Sequence, residues 1–336
     1  MSQNKKAKKI HGPPEYLVGF LQTFYKILVT HSGLELGFYD LINQHKLISF
    51  KKLASLKNCS EKLVHSWCNA ALAISQLKLE TDKYSLLSWT KNYLCKDSAN
   101  YLGFLLQNME GLFFLYRTTK ERFDGNFPPL KGSHAINIVK SIAPLANYLA
   151  PLLQDEIPKL KEKCELLDLG CGLGSYLVTL AKLNPQLYGT GIEGGWGSEV
   201  VNEARKYIKQ NNMESRIRIV KSDILKFETE QKFDVIFMSG FIQAFQKDAA
   251  TKILKNSYNW LKDQGTIAIQ DNLISEDRLS PQFNALFDFY LNLESPNAGL
   301  YSYQELYKML EDAGFIEIKK YYILFGLGHV IAKKEI

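Results

Sequence analysis

The stretch that most limits what this chain can fold into is CELLDLGCGLGSYLVTLAKLNP, residues 164–185. An apolar run ends in Asp168, glycines follow at 170, 172 and 174, and an apolar-periodic helix begins. Strand, tight glycine turn and helix in that order open a doubly wound sheet, whose ligands bind beyond the carboxyl ends of the strands. The spacing narrows what the turn holds. A dinucleotide fingerprint needs G-x-G-x-x-G, and here the third glycine arrives one residue early; a G-x-x-x-x-G-K-[ST] phosphate loop is absent from the chain. A lone glycine triplet is weak by itself, and its setting carries more.

From about residue 160 onward, short β-rich runs alternate with helices, the pattern of a parallel α/β sheet. Strands are expected at 165–169, 187–192, 217–221, 233–239, 265–270, 316–320 and 329–333, with a last helix capped by Ser302 and stopped at Gly314. The second strand, LYGTGIEGG, ends in Glu193, 25 residues beyond Asp168. A carboxylate there can accept hydrogen bonds from a ribose diol. The third strand runs into KSDILKF, which puts Asp223 where an adenine amino group can donate to it.

Before residue 160 the patterns are helical. Within 48–87, Ser49 caps a short helix with Leu53 and Ala54 inward, and Ser60 caps a second with Leu63, Val64, Trp67, Ala71 and Ile74 at helical spacing. Thr81-Asp82-Lys83 then turns between two short strands. Helix, helix, hairpin reads as a winged helix. The second helix carries Trp67, Cys68 and the small apolar run 70–73 in place of base-reading side chains. The net charge of +6 falls to +2 without Lys5, Lys6, Lys8 and Lys9 of the opening tail. A dimerisation module is therefore expected, and nucleic acid is not.

Residues 16–29, YLVGFLQTFYKILV, are broken by Gln22 and Lys26, so an amphipathic core or dimer helix is expected there and not a membrane span. The opening lacks the apolar core of a secretory signal. Five cysteines, at 59, 68, 95, 164 and 171, form no C-x-x-C pair. A cytoplasmic protein with reduced thiols and no metal site is expected. Residues 101–157 promise further helices, with the aromatic-rich segment supplying Met109, Phe113, Tyr116 and Arg117 as substrate-pocket candidates.

DLGCGLG, the glutamate after strand two, SDI after strand three and FDVIFMSG at strand four resemble the motif series of class I S-adenosylmethionine-dependent methyltransferases. The motifs cover roughly residues 160–336. The winged helix extends the likeness, which is to the small-molecule O-methyltransferase family of plants and bacteria. The resemblance implies an α/β chain with a doubly wound, mostly parallel seven-stranded Rossmann-like sheet (159–336). An N-terminal helical winged-helix dimerisation domain (1–105) and linker helices over the substrate pocket (106–158) would precede it. It implies S-adenosyl-L-methionine as cofactor. Asp168, Gly170, Gly172 and Gly174 would line its methionine and ribose portion, Glu193 would bind the ribose, Asp223 and Ile224 the adenine, and Ser239 would complete the set. That cofactor carries a sulfonium, an ammonium and a carboxylate but no phosphate, so the glycines would serve close backbone approach.

The chain departs from the family at the residues that handle the proton. The family's usual base, a histidine in an H-D-W segment after strand four, falls on Gln243, with Ala244 and Phe245 beyond it. Glutamine is no base near neutral pH. Of two acids that accompany the histidine in many plant members, the first matches Asp271 and the second falls on Leu300. Three readings stay open. Proximity alone can drive methyl transfer to a small, fairly apolar and already nucleophilic acceptor, with Gln243 orienting it. Another base can serve, the candidates being His134, Asp271 and His31. Or the cofactor serves non-methylating chemistry such as cyclisation, elimination or a pericyclic reaction. A winged-helix DNA-binding regulator is a lesser alternative. Trp196, beyond Glu193, and His329, before the last strand, read as structural.

Overall fold

The computed structural model describes residues 13–98, 100–106, 109–128, 132–195, 197–324 and 326–335. They fall into two compact units, divided between Met109 and Glu110.

The first unit holds helices α1 (Pro13–Glu35), α2 (Phe38–His45), α3 (Phe50–Lys57) and α4 (Glu61–Ala73). Strands β1 (Leu77–Glu80) and β2 (Lys83–Leu86) and helix α5 (Ser88–Leu94) follow. The expected helix–helix–hairpin order is present. Ser49 caps α3, its side chain accepting from the Lys52 N–H at 3.3 Å. Ser60 precedes α4 but makes no capping bond. β1 and β2 pair antiparallel, with Leu77 opposite Leu86, and Ile48 bridges to Tyr84. Phe38, Tyr39 and Trp67 pack edge-on at the core, Phe38 and Trp67 with ring centres 4.8 Å apart. The first turns of α1 are not core: Tyr16 is 73% and Phe20 69% exposed, and Leu17, Leu21, Tyr25 and Leu28 are exposed beside them.

The second unit opens with α6 (Met109–Arg117), α7 (Thr119–Phe123), α8 (Gly132–Ile142) and α9 (Ala146–Glu156). Then come β3 (Cys164–Leu169), α10 (Ser175–Leu183), β4 (Leu187–Glu193), α11 (Ser198–Gln210), β5 (Ile217–Lys221), β6 (Phe233–Ser239) and α12 (Lys247–Trp260). The unit ends with β7 (Leu261–Asn272), α13 (Gln282–Glu294), α14 (Tyr303–Asp312), β8 (Phe315–Leu324) and β9 (Leu327–Lys334). The seven-stranded sheet runs β5-β4-β3-β6-β7-β9-β8. The first five strands are parallel, and β9 and β8 add antiparallel at one edge.

Alternate residues of the strands face opposite layers. Leu166, Val235 and Phe237 pack with Leu153 of α9, Leu177 of α10 and Ala204 of α11. Leu167, Leu169, Ile236 and Met238 pack with Ile253 and Leu254 of α12 and Leu306 and Leu310 of α14. β7 begins at Leu261, earlier than expected, because its pairing with β6 shifts register between Phe233 and Val235 and absorbs the Gln264-Gly265 irregularity. Ser302 and Glu305 form a full capping box on α14, and Gly314 ends that helix region at φ +97°.

Ala135–Glu156 is long and apolar enough to cross a membrane by length and composition, which a search for unbroken apolar runs does not reveal. Here it is α8 and α9, joined by a 3₁₀ turn at Ala143–Leu145. Ala150 and Leu153 lie in the core.

Candidate active site

After β3 the chain crosses to β4 on one side, and β6 joins on the other. The strand order therefore reverses at β3, and sheets of this kind bind ligands in the crevice beyond the carboxyl ends of the strands flanking the reversal. The glycine turn builds its floor. Gly170 and Cys171 donate their N–H groups to the Ile192 carbonyl at 3.0 and 3.1 Å, tying the turn to β4. Gly170 has φ +74°, and a Cβ there would lie 2.1 Å from the Phe241 ring, so both conformation and packing require glycine. α8 lies against the turn, with Ala135 and Val139 packed on Leu173 and Val200.

Glu193 ends β4 and is 4% exposed. One carboxylate oxygen accepts from Gly172 N–H at 3.0 Å, the other from Gly194 N–H at 2.8 Å. It thereby locks the second glycine in place. Asp168, next to last in β3, is 2% exposed. Burial, and then the Glu193 carboxylate, push its carboxyl up to about 8. Among the described residues no cation offsets that charge. Asp223 takes a local role: it is exposed, and its carboxylate accepts from Leu225 N–H at 3.0 Å to cap the turn at Ile224–Lys226. Ile224 is buried in the core.

On the β6 side, Gln270 donates from Nε2 to Ser239 Oγ at 2.8 Å and to the Tyr176 hydroxyl at 2.6 Å. Beyond Ser239, Phe241 and Phe245 meet edge-to-face with centres 5.0 Å apart. Gln243 sits between them in a 3₁₀ turn, Ile242–Ala244. Asp271, near the end of β7, is 3% exposed. One of its oxygens accepts from Asn272 N–H at 3.0 Å. The Gln243 backbone N–H polarises the carboxyl, yet Oδ2 makes no hydrogen bond of ordinary geometry, and neither does Gln243 Oε1. Burial pushes Asp271 up to about 7. Two buried acceptor oxygens without donors thus belong to neighbouring residues, an arrangement that asks for a hydrogen-bond donor from outside the chain.

Residues 160–314 match the family model described as a methyltransferase domain. That stretch is thus similar to methyltransferase domains. O-methyltransferase 16 of Lophophora williamsii is 24% identical over 246 residues, covering 72% of this chain and 59% of the relative. The carboxy-S-adenosyl-L-methionine synthase of Helicobacter pylori is 26% identical over 164 residues, covering 48% of this chain and 63% of the relative. The chain therefore spans about 60% of the length of these curated relatives. Human N-acetylserotonin methyltransferase, solved with S-adenosylmethionine, superposes with a TM-score of 0.84 at 16% identity. That match covers 98% of this chain and 100% of that one, a likeness of fold.

In the second unit Asp168, Gly170, Gly172, Gly174, Glu193 and Ser239 stand at or beyond the carboxyl ends of the neighbouring strands β3, β4 and β6. Gln243 and Asp271 share a corner beyond β6 and β7. Of the α6 candidates, Phe113, Tyr116 and Arg117 are exposed in the single chain, Tyr116 at 80%, while Leu115 takes the buried face. His31 belongs to α1 in the other unit and is half-buried. His134 lies in the first turn of α8; its side chain, that of Met109, and the whole of Trp196 fall outside the described residues. Sequence reasoning missed Phe241, Tyr176 and Gln270. The signal for Gln270 was a polar residue at the end of the apolar run TIAI.

Proposed function

We propose that this chain binds S-adenosylmethionine at the reversal point of the sheet and transfers its methyl group to a small, fairly apolar acceptor. The observation that carries the reading is Asp168: a buried carboxyl beside a second carboxylate, with no cation among the described residues to offset it. A phosphorylated nucleotide would add negative charge to that pair, whereas a ligand bearing an ammonium and a sulfonium supplies the missing positive charge. When bound, the cofactor provides an activated methyl group. The chain's own residues then place the acceptor. The Gln243 amide and the Asp271 carboxyl offer oxygens that orient an O–H or N–H of the acceptor, and proximity contributes most of the rate.

The exposed apolar side chains at the opening of α1 support a homodimer, since an apolar helix face is ordinarily buried against another element. Calorimetric titration with S-adenosylhomocysteine tests the cofactor; neither binding heat nor a thermal shift would remove the reading. Replacing Gln243 by Leu should lower kcat/KM roughly tenfold without moving the pH profile, because the amide orients and does not titrate.

A second reading has support of its own. Gln243 stands where the family's base would be, and one relative is named for synthesis of carboxy-S-adenosylmethionine, a use of the cofactor other than methylation. Incubation with the cofactor and no acceptor separates the two. Release of methylthioadenosine or of a modified cofactor favours the second reading.

A further inference from the structure

The corner shared by Gln243 and Asp271 holds two hydrogen-bond acceptors and no donor to meet them. Asp271 is 3% exposed, and neither its Oδ2 nor Gln243 Oε1 has a partner. Gln243 itself is half-buried, so the corner has an open side. Among the described residues no lysine, arginine or histidine offsets the Asp271 charge. The ionisable group that feels this charge is Tyr301. Burial pushes its phenol up to about 12, so it stays neutral, and its hydroxyl donates to the Phe245 carbonyl at 2.7 Å.

Aromatic rings bound the corner. Phe241 and Phe245, two residues to either side of Gln243, meet with ring centres 5.0 Å apart. Phe241 also lies on the glycine turn, since a Cβ on Gly170 would fall 2.1 Å from its ring. The corner therefore adjoins the turn that the cofactor reading assigns to the ligand.

These features select among possible acceptors. Two bare oxygens need two hydrogens. One hydroxyl brings one; a pair of hydroxyls brings two but no charge; a protonated amine nitrogen brings two or three and a positive charge. A buried carboxylate without a cation favours the charged partner. Phenylalanine rings attract a cation and pack against an apolar body.

We propose that the methyl acceptor is an amine, bound as its ammonium ion with one N–H on Asp271 Oδ2, another on Gln243 Oε1 and its apolar body against Phe241 and Phe245. The inference rests on the cofactor reading and names the acceptor's class. Asp271 then does what glutamine at 243 cannot. Its carboxylate takes one proton from the ammonium, which frees the nitrogen lone pair. The nitrogen bonds the methyl carbon as the carbon–sulfur bond breaks, and that electron pair stays on sulfur. The product leaves as a methylated ammonium ion, and the carboxyl returns its proton to water. Burial, by pushing Asp271 up to about 7, makes it a better base at neutral pH than an exposed carboxylate.

The test is calorimetry on the full chain saturated with S-adenosylhomocysteine. The probes are benzylamine, 2-phenylethylamine and 3-phenylpropylamine, each against the alcohol of the same length. The tightest amine should bind about tenfold or more tighter than its alcohol near pH 8, as for hydrogen bonds to a charged group. Asp271→Asn should bring the two within about twofold, and Gln243→Leu should weaken the amine about fivefold. Binding should also release protons. Near pH 7 the free carboxyl is about half protonated, and an ammonium beside it holds it ionised. Amine heats in phosphate and in HEPES should then differ by about half a proton per site, and alcohol heats should not. If Asp271→Asn does not fold, the proton release of the wild-type chain decides the matter. An alcohol as tight as its amine, amine binding without proton release, or an amine preference that survives Asp271→Asn overturns the proposal. So does a chain that binds S-adenosylhomocysteine and none of the amines. Failure to bind S-adenosylhomocysteine overturns the cofactor reading instead.

Discussion

A carboxyl group held 2% exposed against a second carboxylate costs stability whenever it is ionised. Asp168 titrates at about 8 in the folded chain and near its ordinary 3.8 when unfolded. Below the lower value both states are protonated and the group costs nothing. Between the two, the unfolded chain gains by ionising while the folded one does not, so stability falls as pH rises. Above the folded value the whole cost is present. Asp168→Asn should therefore stabilise the ligand-free protein at pH 8 to 9 by roughly 1–3 kcal/mol, with the gain shrinking toward zero near pH 4. The same change should weaken S-adenosylhomocysteine, since the ligand's ammonium loses its counter-charge. Urea melts at several pH values, with and without that ligand, check both. A variant whose gain does not grow with pH would show that Asp168 is not strained by charge. Asp271, pushed up to about 7 by burial, contributes with the same sign over a narrower range.

Helix ends give a sharper comparison at the level of elements. Ser302 accepts from Glu305 N–H at 3.0 Å while Glu305 reaches back to Ser302 N–H at 2.8 Å. Ser302→Ala should cost about 1 kcal/mol, seen as a lowered melting temperature. Ser60 occupies the same position before α4 and makes no such bond. Ser60→Ala should change stability by no more than about 0.5 kcal/mol. The two serines looked alike in the sequence, because a cap depends on the rotamer and the N3 geometry as well as on residue type. Strand positions were far more legible, since apolar runs bounded by turn residues leave few alternatives. β7 is longer than its apolar run because the ladder tolerates an irregular stretch at Gln264-Gly265. At α6 the aromatics mark a helix with apolar surface, and composition does not say what covers it. The hydrogen-bonded network of Glu156, His329, Gln270, Tyr176 and Ser239 was illegible too, because its members come from α9, β9, β7, α10 and β6 and only the sheet brings them together.

Taken whole, the chain hides its sheet on both faces and yet leaves the opening of α1 bare. Tyr16, Leu17, Phe20, Leu21, Phe24, Tyr25 and Leu28 are all exposed in one copy. Monomeric proteins rarely show contiguous apolar patches beyond a few hundred Å². A second copy of α1 is the simplest cover, since a two-fold pairing sets the same apolar side chains against themselves. The wild-type chain should then sediment at twice 38.4 kDa. Phe20→Glu with Leu21→Glu places two charges inside that contact, and burial of unpaired charge is costly enough to shift the equilibrium to the monomer. Both residues are exposed in the single chain, so the variant keeps the core of its unit intact. Sedimentation at micromolar concentration reads the change directly. A wild-type chain that stays monomeric, or a double variant that still sediments as a dimer, would show that another surface or another partner covers α1.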